Sequence, residues 1–339
     1  MTTCVSRTSV GNGNYKIKIL FVSVAIEDFI KRDIELLRKY FNIKVIKWEG
    51  LKPIILLKMI KGILWADLTF SWFGAGHAFY AVLLSRMLRK KSIVVIGGYE
   101  VAKVQEIDYG LLLNPKSASR VKYVLENADK ILAVSKFNKK EILKYRENLK
   151  NIKLVYNGID VCKFKPKGKK EDIVITVGII NKLNLKRKGL ETFVRAAIYL
   201  RDIKFVLIGK HVDDSIDYLK SIAPLNVEFT GFVSDEELLN WYQRAKVYCQ
   251  LSIYESFGVA LAEAMACECV PVVTNKGALP EVVGNTGFYV PYSDPKATAE
   301  AIKKALKSDK GEKARKRIKK MFPLERREKK LVGVIGELI

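Results

Sequence analysis

What most constrains this chain is a rhythm: apolar, β-rich runs alternate with amphipathic stretches from one end to the other. Residues 17–24 read as a strand, 28–41 as a helix and 43–48 as a strand. The alternation continues through 67–73, a helix near 77–89, 92–96, a helix near 116–127, 130–134 and 136–145. A short strand at 152–156 closes this first unit. Strand-length and helix-length segments in strict alternation predict parallel sheets wrapped by helices, an α/β fold.

The rhythm breaks once. After Asn157-Gly158-Ile159-Asp160 comes a lysine-rich stretch, 162–171, whose Pro166 and Gly168 mark a linker. Alternation then resumes with 173–178, 189–200, 204–209, 216–222, 227–230, 236–244, 247–251, 257–267, 270–273 and 287–290, and helices fill the remainder. With 339 residues, 49% of them hydrophobic, the chain can bury two cores. The reading is therefore two doubly wound domains, 1–160 and 161–321, followed by a terminal segment 322–339. Paired doubly wound domains place a ligand cleft between the carboxyl ends of their sheets.

Composition excludes several classes. The greasiest stretch, 54–65, is broken by Lys58 and Lys61 well short of the ~20 apolar residues that a membrane-spanning helix needs. The first fifteen residues are polar and lack a secretory apolar region, so a cytoplasmic protein is expected. Cys4, Cys162, Cys249, Cys267 and Cys269 are odd in number and hold no Cys-x-x-Cys pair, and only two histidines accompany them. No disulfide framework and no metal site are expected, and the three cysteines in apolar runs read as core residues. The net charge of +24 is uneven: residues 1–170 carry 33 Lys/Arg against 14 Asp/Glu, and the rest carry 27 against 22. A first half at +19 suits an anionic membrane surface, a phosphate-bearing acceptor or nucleic acid, or else is a solvated lysine-rich surface. No basic-aromatic module favours nucleic acid.

The chemistry is concentrated in 252–266, Ser-Ile-Tyr-Glu-Ser-Phe-Gly-Val-Ala-Leu-Ala-Glu-Ala-Met-Ala. A strand ends there in a polar turn and runs into a helix. Ser256, Phe257, Gly258 and Val259 open that helix, where free N–H groups and the positive dipole end can hold a diphosphate. Glu255 stands at the mouth of this nest. Glu263 lies two turns further along, among Ala260, Leu261, Ala262, Ala264 and Met265, and a lone carboxylate in such company is costly without a partner. Two carboxylates flanking a phosphate site can accept hydrogen bonds from sugar hydroxyls.

Glu255-x7-Glu263 within Tyr-Glu-Ser-Phe-Gly resembles the signature of glycosyltransferase family 4, retaining enzymes with the two-Rossmann GT-B fold. Thr230-Gly231-Phe232-Val233, Gly277-Ala278-Leu279-Pro280-Glu281, Gly287-Phe288 and Tyr156-Asn157-Gly158-Ile159-Asp160 are similar to family segments in the same order. The resemblance implies a UDP-, GDP- or ADP-sugar donor in the second domain, with Glu255 on the donor sugar, Glu263 on the ribose and the amides near Phe257 and Gly258 on the diphosphate. It implies a basic pair for the leaving diphosphate, matched by Lys188 and by either Lys182 or Arg187, and a C-terminal segment that returns to the first domain. Gly178, Gly209 and Lys210, at strand ends facing the donor, join its phosphate shell. No tightly bound ion or cofactor is implied.

The chain departs from the family pattern in places. Residue 179 is Ile where many members have arginine, and the loop after the first strand reads Val24-Ala25-Ile26-Glu27-Asp28 instead of glycine-rich. Ile96-Gly97-Gly98-Tyr99-Glu100 stands where many members carry a histidine, which makes Glu100 a catalytic candidate. His77 reads as a helix-start residue. The expected reaction is retaining transfer of a sugar to a sugar, glycan or lipid-linked hydroxyl acceptor, with the enzyme peripheral on the inner face of the membrane. The rivals are a nucleotide-sugar epimerase of the same fold and a degenerate scaffold binding an anionic membrane or nucleic acid.

Overall fold

The computed structural model describes residues 16–145 and 147–339. Cys4 and the polar leader lie outside the described residues. The first sheet collects β1 (Lys18–Ser23), β2 (Asn42–Lys47), β3 (Leu68–Trp72), β4 (Lys91–Ile96), β5 (Lys130–Ala133) and β6 (Ile152–Leu154), all parallel, in the order β2-β1-β3-β4-β5-β6. Between them run α1 (Asp28–Arg38), α2 (Pro53–Trp65), α3 (Gly76–Met87), α4 (Pro115–Asn127) and α5 (Lys136–Leu143). The central strands β3 and, beyond Lys91, β4 are buried on both faces, β3 with Thr69 and Ser71 among its apolar residues; edge strand β2 is partly exposed.

The second sheet holds β7 (Glu171–Val177), β8 (Lys204–Ile208), β9 (Val227–Gly231), β10 (Ala245–Gln250), β11 (Val270–Thr274) and β12 (Phe288–Val290), again parallel, in the order β12-β11-β10-β7-β8-β9. Its helices are α6 (Lys182–Arg187), α7 (Leu190–Ala196), α8 (Ser215–Ile222), α9 (Asp235–Arg244), α10 (Val259–Ala266), α11 (Leu279–Val283), α12 (Pro295–Leu306) and α13 (Lys310–Met321). Their starts follow local chemistry. Ser234 and Glu237 form a reciprocal capping box on α9, and Asp294 caps α12 ahead of Pro295. The expected α/β architecture of two doubly wound parallel sheets is what forms.

The last helix, α14 (Leu324–Gly336), packs on α1 of the first unit. Its Arg327 donates to both oxygens of buried Asp33 at 2.6 Å and to the carbonyls of Val155 and Tyr156, while the Trp72 indole donates to the same Asp33 at 2.8 Å. Where the chain crosses between units, Ile159 exchanges backbone bonds with Phe322 and Leu324. One hydrophobic cluster runs from Ile19 in the first unit through Leu261 to Ile335, so the two units share a core. Cys249, Cys267 and Cys269 are buried, and burial pushes all three thiols up. Among the described residues no helix is long and apolar enough to cross a membrane; the 54–65 stretch is α2.

Candidate active site

In the second sheet the chain leaves β7 towards β8 and β9 on one side and returns through β10 to β11 and β12 on the other. The carboxyl ends of β7 and β10 thus lie side by side where the winding direction reverses, the position at which such sheets bind ligands. The first sheet has its own reversal between β1 and β3. A cleft of about 620 Å³ opens between these two edges. The second unit lines it with Arg187, Lys188, Gln250, Glu255, Ser256 and Glu263, and the first contributes Glu27, Asp28, Phe73 and Gly97.

The strand-turn-helix order expected at α10 forms, but the helix begins at Val259, so Ser256 and Phe257 precede it instead of opening it. Gly258 takes a left-handed conformation (φ 87°) at the N-cap, and the first helical bond runs from Ala262 N–H to its carbonyl, so the N–H groups of Val259, Ala260 and Leu261 precede the ladder. Glu255 is fixed from behind. Ala278 N–H donates to its carbonyl at 2.8 Å, and Gly277 packs so closely that a β-carbon there would lie 2.5 Å from that same oxygen. Gln250 Nε2 reaches the Glu255 carboxylate at 3.5 Å. Ser256 meets the first unit at Gly98, where a β-carbon would overlap the serine hydroxyl. Only glycine at 98 permits this approach of the two units.

Glu263 lies at the base of the cleft and accepts a 2.6 Å bond from Arg32 of α1. Burial raises its carboxyl above the usual range, and the Arg32 charge opposes that rise. Arg32 in turn lies over the Phe164 ring. The partner that a carboxylate in an apolar helix requires therefore comes from the other unit.

Lys188 donates to the Val177 carbonyl at 3.2 Å, its stem crossing Gly178, where any β-carbon would touch it. Burial, with Arg187 beside it, lowers the ammonium from 10.5 to about 8, against the pull of Glu255 and Glu27. The short α6 that carries this segment gives no apolar periodicity in sequence. Lys186 and Arg187 occupy its last turn and Lys188 is its C-cap, and α7 begins just beyond, at Leu190 after Gly189, where the reading of 189–200 as a helix expected it. Arg187 enters the cleft, braced by Asn184 at 2.9 Å and stacked over Tyr109. Lys182 instead begins α6, is exposed, and gives its backbone N–H to Asp213.

Other candidates fall outside the cleft lining. Lys210 is exposed and its carbonyl pairs with Ile180, while Gly209 packs on the Gly178 carbonyl. Glu100 is turned inward: its carboxylate accepts N–H bonds from Gly74 (2.8 Å), Gly97 (3.0 Å) and Gly98 (2.8 Å). It shapes the loops after β3 and β4 and exposes no oxygen to a substrate. His77 is buried in the first turn of α3 with Nε2 on the Trp72 carbonyl, and burial lowers it to about 4. Sequence reasoning assigned no role to Arg32, Glu27, Asp28, Gln250 or Tyr109. Their signal is tertiary, since they join the site only when the two sheets face each other. Among the described residues no cluster of metal-binding side chains occurs.

Residues 160–321 match the family described as "Glycosyl transferases group 1". The chain is 36% identical over 83 residues to O-antigen chain mannosyltransferase B of Escherichia coli, covering 24% of this chain and 22% of that protein. It is 29% identical over 212 residues to the lipopolysaccharide core biosynthesis mannosyltransferase LpcC of Rhizobium leguminosarum, covering 55% and 60%. The chain thus spans less than two thirds of these relatives. Among solved structures, Anabaena HepE in complex with UDP and glucose superposes with a TM-score of 0.80 at 15% identity, covering 95% of this chain and all of that one. Residues 160–321 are therefore a glycosyl transferases group 1 domain, set within a chain that has the GT-B fold.

Proposed function

We propose that the chain transfers a sugar from a nucleotide-diphosphate sugar to a hydroxyl acceptor with retention of anomeric configuration. The observation that carries this reading is the cleft itself: two carboxylates, Glu255 and Glu263, flank the N-terminus of α10, and Lys188 and Arg187 face the same space. In this reading the Glu263 carboxylate accepts from ribose hydroxyls and Glu255 from hydroxyls of the donor sugar. The amides of Phe257 to Val259 and the two cations hold the diphosphate. The HepE complex with UDP and glucose supports a uridine donor as one option.

The reaction needs a negative leaving group stabilised as the bond from C1 to the diphosphate oxygen breaks. Lys188 suits that task because burial and Arg187 disfavour its charged form, which phosphate charge then favours. The acceptor oxygen bonds C1 on the face that the diphosphate leaves, and the acceptor proton passes to the departing phosphate oxygen. Closure between Gly98 and Ser256 excludes water from this space. Residues 1–160 hold the acceptor, a sugar, glycan or lipid-linked hydroxyl, and 322–339 tie the units together. The name of LpcC, a lipopolysaccharide core enzyme, supports a lipid-linked acceptor and peripheral membrane contact.

The test is proton NMR of each nucleotide sugar incubated with the protein, alone and with lipid-linked or free sugar acceptors. Transfer with the donor's anomeric configuration preserved in the first-formed product is expected. An inverted product would refute retention; free epimerised sugar from donor alone would indicate the epimerase. No turnover of any donor, together with retention of DNA or RNA on a gel, would indicate the scaffold.

A further inference from the structure

Several of the large apolar side chains exposed on the first unit lie on or just before one helix, α2. Leu51, just before α2, is 58% exposed, and Ile54, Leu57 and Leu64 within it are 56%, 51% and 58% exposed. The opposite face of α2 is well used: Ile55, Met59, Gly62 and Ile63 are buried, with Gly62 pressed on Leu20 of β1. A helix docked by one face on a sheet ordinarily presents polar residues to water. Here the outward stripe is Leu51, Ile54, Leu57, Lys58, Lys61 and Leu64, at three- and four-residue spacing, with exposed Lys52 beside it. No Asp or Glu occurs from Leu51 to Ala66, so the stripe is apolar and purely basic.

Its place in the fold matters as much. β1 and β2 are paired in register to their ends, and Trp48 N–H donates to the Ser23 carbonyl. The segments that follow them, carrying exposed Val24 and Ile26 after β1 and Leu51 after β2, leave the same carboxyl edge, the edge that lines the cleft through Glu27 and Asp28. The apolar stripe therefore begins beside the cleft mouth and runs away from it.

We propose that this face of α2, with the Val24 and Ile26 loop, seats the protein on a bilayer containing anionic lipid. Leucine and isoleucine enter the acyl boundary while Lys52, Lys58 and Lys61 stay at the headgroups, which is how a basic amphipathic helix lies in an interface. Charge complementarity favours a lipid surface over a second copy of the chain, because this stripe carries no carboxylates for another copy's lysines. The inference deepens the lipid-linked acceptor reading by naming the surface that would bring such an acceptor to the cleft, yet it is tested without any donor.

The test is co-sedimentation of the full chain with vesicles of phosphatidylcholine alone or mixed with phosphatidylglycerol. Binding to the mixed vesicles that weakens with salt is expected. Leu57→Glu/Leu64→Glu should weaken it roughly tenfold or more, and Lys58→Glu/Lys61→Glu at least about fivefold per charge removed. Both pairs are exposed, so thermal midpoint and nucleotide binding should be unchanged and report folding separately. Failure of the wild-type chain to sediment with mixed vesicles, or undiminished binding by the leucine variant, would overturn the inference. Loss of nucleotide binding with vesicle binding intact would overturn the functional reading alone.

Discussion

Lys188 makes nucleotide affinity depend on pH in a way that can be worked out beforehand. Burial brings its ammonium down to about 8. A bound diphosphate sets negative charge against it and so favours its charged form. Binding then takes up a proton wherever the free lysine has lost one, so affinity follows the protonated fraction of the free protein. Between pH 7 and pH 9 that fraction falls about tenfold, or ~1.4 kcal/mol of binding free energy. The terminal phosphate, with a second pKa of about 6, is already ionised across this range. For stability the sign is opposite. The native lysine releases its proton near 8 whereas the unfolded one holds it to 10.5, so the free protein gains stability as pH rises through that window, and the nucleotide's stabilising effect shrinks. Isothermal titration with UDP, GDP and ADP at pH 7, 8 and 9 measures the effect. Lys188→Met should bind more weakly at pH 7 and show no slope. A flat wild-type profile, or an equal slope in Lys188→Met, would refute the reasoning.

Three other substitutions test the surroundings. Arg32→Met leaves Glu263 buried without its ion-pair partner, which should cost about 3–5 kcal/mol; because the carboxyl of Glu263 is already raised by burial, the loss in denaturant midpoint should grow as pH rises above 4.5. Arg327→Met strands Asp33 with the Trp72 indole alone and should lower unfolding free energy by a similar ~3–5 kcal/mol, seen in a chemical melt, without changing nucleotide affinity. Glu281→Ala removes the acceptor of Lys136 N–H at 2.9 Å and of the Tyr156 hydroxyl at 2.5 Å, contacts that join α11 to the first unit; scattering should report a more open free protein, with a stability loss of about 1–3 kcal/mol.

Most of the strands were legible because a parallel sheet covered on both faces writes uninterrupted apolar runs, as at 93–96 and 205–208. α6 was not, because Lys182-Leu-Asn-Leu-Lys-Arg is too short to show a period. The nest at 256–258 could be read because its chemistry is local: strand, glycine, helix. Arg32 and Glu27 could not, since nothing within α1 says which carboxylate or lysine from the other unit will face it. Glu100 shows the reverse error. Next to a glycine pair it looked free to act, whereas three backbone N–H groups there required a buried acceptor. The exposed stripe of α2 was present in 51–64 but was weighed only against a membrane span.

The central claim, that the second unit holds a nucleotide-diphosphate sugar between Glu263 and Lys188, is tested most directly by a thermal-shift panel of UDP-, GDP- and ADP-sugars. The panel is run on the wild-type chain and on Glu263→Ala. A ligand that binds only the native state raises its melting point. The account predicts a shift for at least one donor, lost in Glu263→Ala even though the free variant still melts cooperatively. No shift with any donor, or a shift that survives the substitution undiminished, would contradict it.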